Sequence, residues 1–112
     1  MKLNLTNKND EGFVKVNNGK LLFKQVEFNS EYDSLIDLYV YFHSDNNVEN
    51  SLILTLDSFV TAMDNKNNKI IDFNLADGSN PAIEVQFPQD VRIKSVSTSG
   101  KEYDIQLVLG VE

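Results

Sequence analysis

Leu35-Ile36-Asp37-Leu38-Tyr39-Val40-Tyr41-Phe42-His43 carries aliphatic or phenyl side chains at every second position. Successive side chains of a β-strand point to opposite faces, so this period-2 pattern reads as a strand. Ile36, Leu38, Val40 and Phe42 make the inward face. Asp37, Tyr39, Tyr41 and His43 make the outward one.

The same period extends along the chain in both directions. Downstream, Ser44 to Asn50 is a polar loop, and Leu52, Leu54 and Leu56 form a second apolar face that alternates with Ile53 and Thr55. Asp57 to Met63 fits a short helical turn with Phe59, Ala62 and Met63 at i, i+3 and i+4, or a strand, with the helical turn favoured. Asp64 to Asn68 is a turn. Four alternating runs follow: Ile71/Phe73/Leu75, Ile83/Val85/Phe87, Val91/Ile93 and Tyr103/Ile105/Leu107/Leu109. The segments between them, including Asp77-Gly78-Ser79-Asn80-Pro81, read as turns.

Upstream, Leu3 and Leu5 mark a short first strand. Phe13 to Val16 and Leu21 to Phe23 flank Asn17-Asn18-Gly19-Lys20, the strongest short-range hairpin signal in the chain. A two-residue turn there sets Val16 against Leu21 and Val14 against Phe23. Leu21 and Phe23 are apolar at odd positions, whereas Val26 and Phe28 are apolar at even ones. A one-residue slip flips the buried face, so a bulge is expected near Lys24-Gln25.

These readings give about eight strands, one short helical turn near residues 57–63, and one domain over residues 1–112. The expected fold is an all-β, antiparallel, two-sheet β-sandwich of jelly-roll or immunoglobulin-like kind, with a small closed barrel as runner-up. No Cys…Trp…Cys frame exists, because the chain has neither residue.

Composition narrows the function classes. Without Cys there is no disulfide, thiol nucleophile or Cys-based metal site. No Gly-rich phosphate loop and no G-x-S-x-G elbow occurs. No signal segment or membrane span is recognisable, so a cytoplasmic or particle-associated location is the default expectation. The net charge is −7, with no Lys or Arg between Lys24 and Lys66, where eight acids fall. That disfavours direct binding to nucleic acid and favours basic partners, cations or plain solubility. Glu27, Asp33 and Asp45 stand for this acidic patch.

Three candidate chemistries follow. His43 is the sole residue that titrates near neutrality, and no local motif gives it a triad, so it reads as a surface residue. Glu27, Asp37 and Asp57 could pair as carboxylates for glycoside hydrolysis, but so small a domain has little room for a cleft. Asp72, Asn74 and Asp77 supply hard oxygen ligands of the type Ca²⁺ takes, out of register with an EF-hand; hairpin-turn chemistry is the plainer reading. No other cofactor is implied.

The feature that stands out is aromatic. Tyr39 and Tyr41, with Asp37 and His43, place rings on the polar side of a strand, where they can form a flat contact surface. The leading expectation is a non-enzymatic structural, assembly or protein-interaction module, such as a phage or other accessory structural protein. It would self-associate or bind a protein partner through this face or through edge strands, with the C-terminal strand as one such edge. The alternatives are a carbohydrate-binding module, Ca²⁺-assisted or not, and a small acidic inhibitor or adaptor that covers a basic protein surface.

Overall fold

A computed structural model describes residues 1–29, 36–42, 51–59, 61–63, 68–85, 88–98 and 100–112. Most of the alternating runs become strand: β1 (Lys2–Thr6), β2 (Glu11–Val16), β3 (Gly19–Asn29), β4 (Ile36–Phe42), β5 (Ser51–Thr55), β6 (Thr61–Met63), β7 (Asn68–Asp72), β8 (Ala82–Val85), β9 (Gln89–Ser97) and β10 (Asp104–Val111). The ambiguous stretch divides: a 3-10 turn takes Leu56–Ser58, and Thr61–Met63 is strand.

Two antiparallel sheets face each other. One runs β1-β10-β3-β7-β6, with β8 also paired to β3; the other runs β2-β9-β4-β5. β7 and β8 pair with β3 along the same edge, β7 at Gln25 to Asn29 and β8 at Gly19 to Leu22, so together they fill one strand position. The pairs β1–β10, β2–β9, β3–β7/β8 and β4–β5 are nested. They describe one long hairpin, rolled so that β10 meets β3 and β9 meets β4. This is the jelly-roll arrangement, which decides between the two sandwich types that the sequence left open. Eight strand positions belong to the roll, and β6 is added at its edge.

The pairing departs from the sequence reading in three places. Asn17-Asn18-Gly19 does not close a hairpin: β2 pairs with β9 and β3 with β10, so the segment crosses between sheets. Both arms still bury their alternate residues, each from its own sheet. Asp77 to Pro81 does not reverse the chain either. β7 leaves the edge of β3 at Asp72 and β8 rejoins it at Ala82, travelling in the same direction. The excursion is rooted by Phe73 N–H on the Lys24 carbonyl (3.0 Å) and Phe23 N–H on the Pro81 carbonyl (2.9 Å). Phe73 is buried, but Leu75, expected to point inward with it, is exposed on the excursion. Finally, β10 lies inside its sheet between β1 and β3 and is not an edge.

The bulge falls where the phase change puts it. Val108 faces Gln25 and Leu109 faces Phe23, which leaves Lys24 as the extra residue. The slip lets Leu21, Phe23, Val26 and Phe28 all reach the core. Sheet two answers with Val14, Val16, Ile36, Leu38, Val40, Val91 and Ile93, and Tyr103 closes one end.

Candidate functional site: the outer face of the four-stranded sheet

Because Val14, Leu38, Leu54 and Ile93 point inward, their neighbours in β2, β4, β5 and β9 point out. Cross-strand register sets those neighbours in rows. Glu11, Lys94, Tyr39 and Ile53 stand side by side across all four strands. The next row holds Phe13, Arg92, Tyr41 and Ser51, and the row on the other side holds Val96, Asp37 and Thr55. Tyr41 and Ser51 enter as register positions. Phe13 is 55% exposed, Ile53 50% and Val96 36%, so half of the six exposed large apolar residues among those described share this face. Tyr39 is half-buried there. Arg92, the one Arg in a chain with nine Lys, stands mid-face with its Nε shielded from solvent.

The opposite outer face differs. Its polar side chains hydrogen-bond along the surface: Asn4 Nδ2 donates to Asp104 (2.6 Å), Gln25 Nε2 to Asp72 (3.0 Å) and Asn68 Nδ2 to Glu27 (3.1 Å). Its aliphatics, Leu22, Ile70 and Val108, are each partly covered. That is a solvated surface, whereas the first face mixes aromatic, aliphatic and Arg side chains in the manner of protein interfaces.

The expected site residues are thereby sorted. Asp37, Tyr39 and Tyr41 fall together in β4, with Asp37 and Tyr39 outward as their phase implies. His43, Asp33 and Asp45 lie outside the described residues. Glu27 is on the opposite outer face from Asp37, so these two do not pair as carboxylates. Asp72 accepts from Gln25, and Asp77 Oδ1 accepts from Ser79 N–H (2.9 Å) and from Ser79 Oγ (2.5 Å). Those bonds hold the Asp77 carboxyl below its ordinary pKa by stabilising the carboxylate, and they serve the turn. No group of three or more His, Asp or Glu that could hold a metal occurs among the described residues.

Phe13, Ile53, Val96 and Arg92 were not singled out by the sequence reading, although a signal was there. Phe13 is out of phase with Val14 and Val16, Ile53 with Leu54, and Val96 with Val91 and Ile93. An apolar residue in the polar phase of a good strand is what an exposed contact face looks like in one dimension.

A second feature lies at one end of the sandwich. Pairing of β2 with β9 stops at Glu11 and Lys94, and the Asp10 carbonyl then accepts from Ser95 N–H (2.8 Å) and Ser95 Oγ (3.2 Å). Beyond this point the β1–β2 turn and the β9–β10 connection part, leaving an open cleft of about 310 Å³ lined by Asn7, Asp10, Lys94, Ser97, Lys101 and Tyr103 among others. Ser95 and Tyr103 are buried at its floor, with their hydroxyls 2.6 Å apart. Burial pushes the Tyr103 phenol up from its ordinary pKa, against the lowering effect of the Ser95 bond and with some help from Asp10.

No family model, curated protein or solved structure matches this chain. No helix among the described residues is long and apolar enough to cross a membrane.

Proposed function

We propose that this chain is a non-enzymatic assembly module that packs against a second copy of itself through the outer face of its four-stranded sheet. The observation that carries the reading is the gathering of Phe13, Ile53, Val96 and Tyr39 around Arg92 on one face of the sandwich. Charge supports a second copy as the occupant. Among the described residues, the face sets Glu11, Asp37 and Asp90 against Lys15, Arg92 and Lys94, a balance of zero in a chain of net charge −7. Two acidic molecules can meet there without a local excess of like charge. Jelly rolls serve as particle components and as lectins alike, so the fold supports a phage or other accessory structural role only by analogy.

The face is small. Four strands about 4.8 Å apart and about six residues at 3.3 Å each make a patch of roughly 400 Å² in projection. A standard interface buries about 800 Å² per partner, so a weak, reversible dimer is expected.

Light scattering after size exclusion, across a concentration series, tests the reading. The wild type should move from 12.7 kDa towards twice that mass. Phe13→Asp and Ile53→Asp should stay monomeric while unfolding at unchanged urea concentration. A wild type that remains monomeric at high concentration overturns the proposal, and so does a dimer that both variants retain. A monomer stabilised by an oligosaccharide or captured by a basic protein would transfer the face to one of those ligands.

A further inference from the structure

We propose that β5, an edge of the four-stranded sheet, pairs antiparallel with β5 of a second copy and joins the two sheets into one. The contact is separate from the face-to-face one and does not rest on it.

The edges of this sandwich are not alike. A sheet edge presents a row of unpaired backbone N–H and C=O groups, and charged side chains or shortness keep it from recruiting another strand. β1 carries Lys2, β2 carries Glu11 and Lys15, and β8, paired only with β3, carries Glu84. β6 is three residues long. β5 is Ser51-Leu52-Ile53-Leu54-Thr55, five residues without a charge, a Gly or a Pro. Among the described residues it pairs with β4 alone. On its other side, every second residue therefore directs its N–H and C=O outward. No charge in the strand guards that row.

The sequence of β5 selects its partner. Read in either direction it runs hydroxyl, aliphatic, aliphatic, aliphatic, hydroxyl. A two-fold axis at Ile53 sets Ile53 against its own copy, Leu54 against position 52 and Thr55 against position 51. Residues opposite each other in an antiparallel pair share a face. This register keeps the exposed Ile53 with Ile53 and gives the buried Leu54 a position of its own phase. A slip of one residue would set the two phases against each other. The run also suits two acidic molecules. A 3-10 turn begins at Leu56 and ends the strand before Asp57, so no like charges meet within the pair in a chain of −7. Such a contact is isologous: it occupies β5 of both molecules and closes. It sets the two outer faces side by side in one surface. Five residues a side fall well short of the about 1,000 Å² of a stable interface, so the contact is transient.

Full-length Phe13→Asp protein is the background for the test, because it lacks the face-to-face contact and β2 lies at the far edge of the sheet from β5. A contact with a Kd of about 1 mM escapes the scattering series but is read by NMR, as amide shifts in a dilution series. Concentration-dependent shifts are expected at residues 51–55 and in β4 beside them. Two further variants test the register. Ser51→Lys/Thr55→Lys sets like charges opposite each other at both ends of the pair and should weaken it about fivefold. Ser51→Glu/Thr55→Lys sets opposite charges there and should tighten it about fivefold. Net charge alone predicts the reverse order. Phe13→Asp takes the chain from −7 to −8; two lysines then bring it to −6, whereas a glutamate and a lysine leave it at −8. Urea unfolding of each variant checks that the fold is retained. Shifts independent of concentration, shifts away from β4 and β5, or variants that rank by net charge or not at all overturn the proposal. The face-to-face reading is decided apart from this, by the mass of the wild type in the scattering series.

Discussion

The Ser95–Tyr103 pair should behave as a coupled unit, and a double-mutant cycle can measure it. Ser95 is 1% exposed and Tyr103 4%, and their oxygens are 2.6 Å apart. With the phenol donating to Ser95 Oγ, the Ser95 hydroxyl proton is left for the Asp10 carbonyl at 3.2 Å. Tyr103→Phe removes the first bond and strands an acceptor in the core, at a cost of about 1–2 kcal/mol. Ser95→Ala leaves the phenol with the Ser95 carbonyl at 3.3 Å as its remaining partner, again a loss of about 1–2 kcal/mol. Once one partner is absent, removal of the other frees a buried polar group instead of breaking a bond. The double variant should therefore be less destabilised than the sum, by about 1 kcal/mol. The chain has no Trp, and Tyr103 is itself varied, so far-UV circular dichroism in urea is the suitable probe. With an m-value of about 1.5 kcal/mol per M, each single variant should unfold at roughly 1 M less urea, with m unchanged. Additivity within about 0.3 kcal/mol would refute the coupling.

Further outcomes follow from single features. The Tyr103 pKa is raised in the folded state, so its contribution to stability is complete below the ordinary value of 10.0 and is lost as pH rises through the folded value. Wild type should accordingly weaken more steeply than Tyr103→Phe in urea titrations taken above about pH 10. Gly19→Ala should cost about 2 kcal/mol or more, because φ there is +133° and a Cβ would overlap the main-chain oxygen of Glu112; a midpoint within experimental error of wild type would contradict the strand crossing at that residue. Phe23 is fully buried beside the bulge, and Phe23→Ala should cost about 3–5 kcal/mol in the same assay.

What the sequence conveyed was the phase of each strand; what it withheld was the partner. Period-2 alternation depends on one strand and the core it faces, so Ile36/Leu38/Val40, Val91/Ile93 and Ile105/Leu107/Leu109 were legible residue by residue. The Lys24 bulge was legible for the same reason, as a break of phase within one strand. Pairing depends on two strands distant in sequence. Asn18-Gly19 satisfies the local rule for a hairpin, yet β9 and β10 take the hydrogen bonds of the two arms, from about 75 and 85 residues downstream. Asp77-Gly78 likewise has turn chemistry, and a turn does form: Leu75 N–H donates to the Ser79 carbonyl at 2.8 Å. Local chemistry cannot say whether such a turn reverses a strand or interrupts one. The face centred on Arg92 was half legible, because Tyr39 and Tyr41 share a strand whereas Phe13, Ile53 and Val96 reach them only through pairing.

The position of β10 also bears on how two copies would meet. Self-association by edge pairing needs a strand with unpaired backbone groups on one side. β10, the candidate edge in sequence, has β1 and β3 on its two sides and offers none. β2 is an edge, but it is six residues long and bears Glu11 and Lys15 among its outward side chains, a pattern that discourages strand addition. Face-to-face packing needs no free edge, and salt distinguishes it from docking on a basic partner. The contact face is neutral while each molecule carries −7, so added salt screens the long-range repulsion and leaves the contact itself intact. Dimerisation should hold or strengthen modestly as salt rises. An acidic adaptor docked on a basic surface would show the opposite sign, losing affinity over the same range.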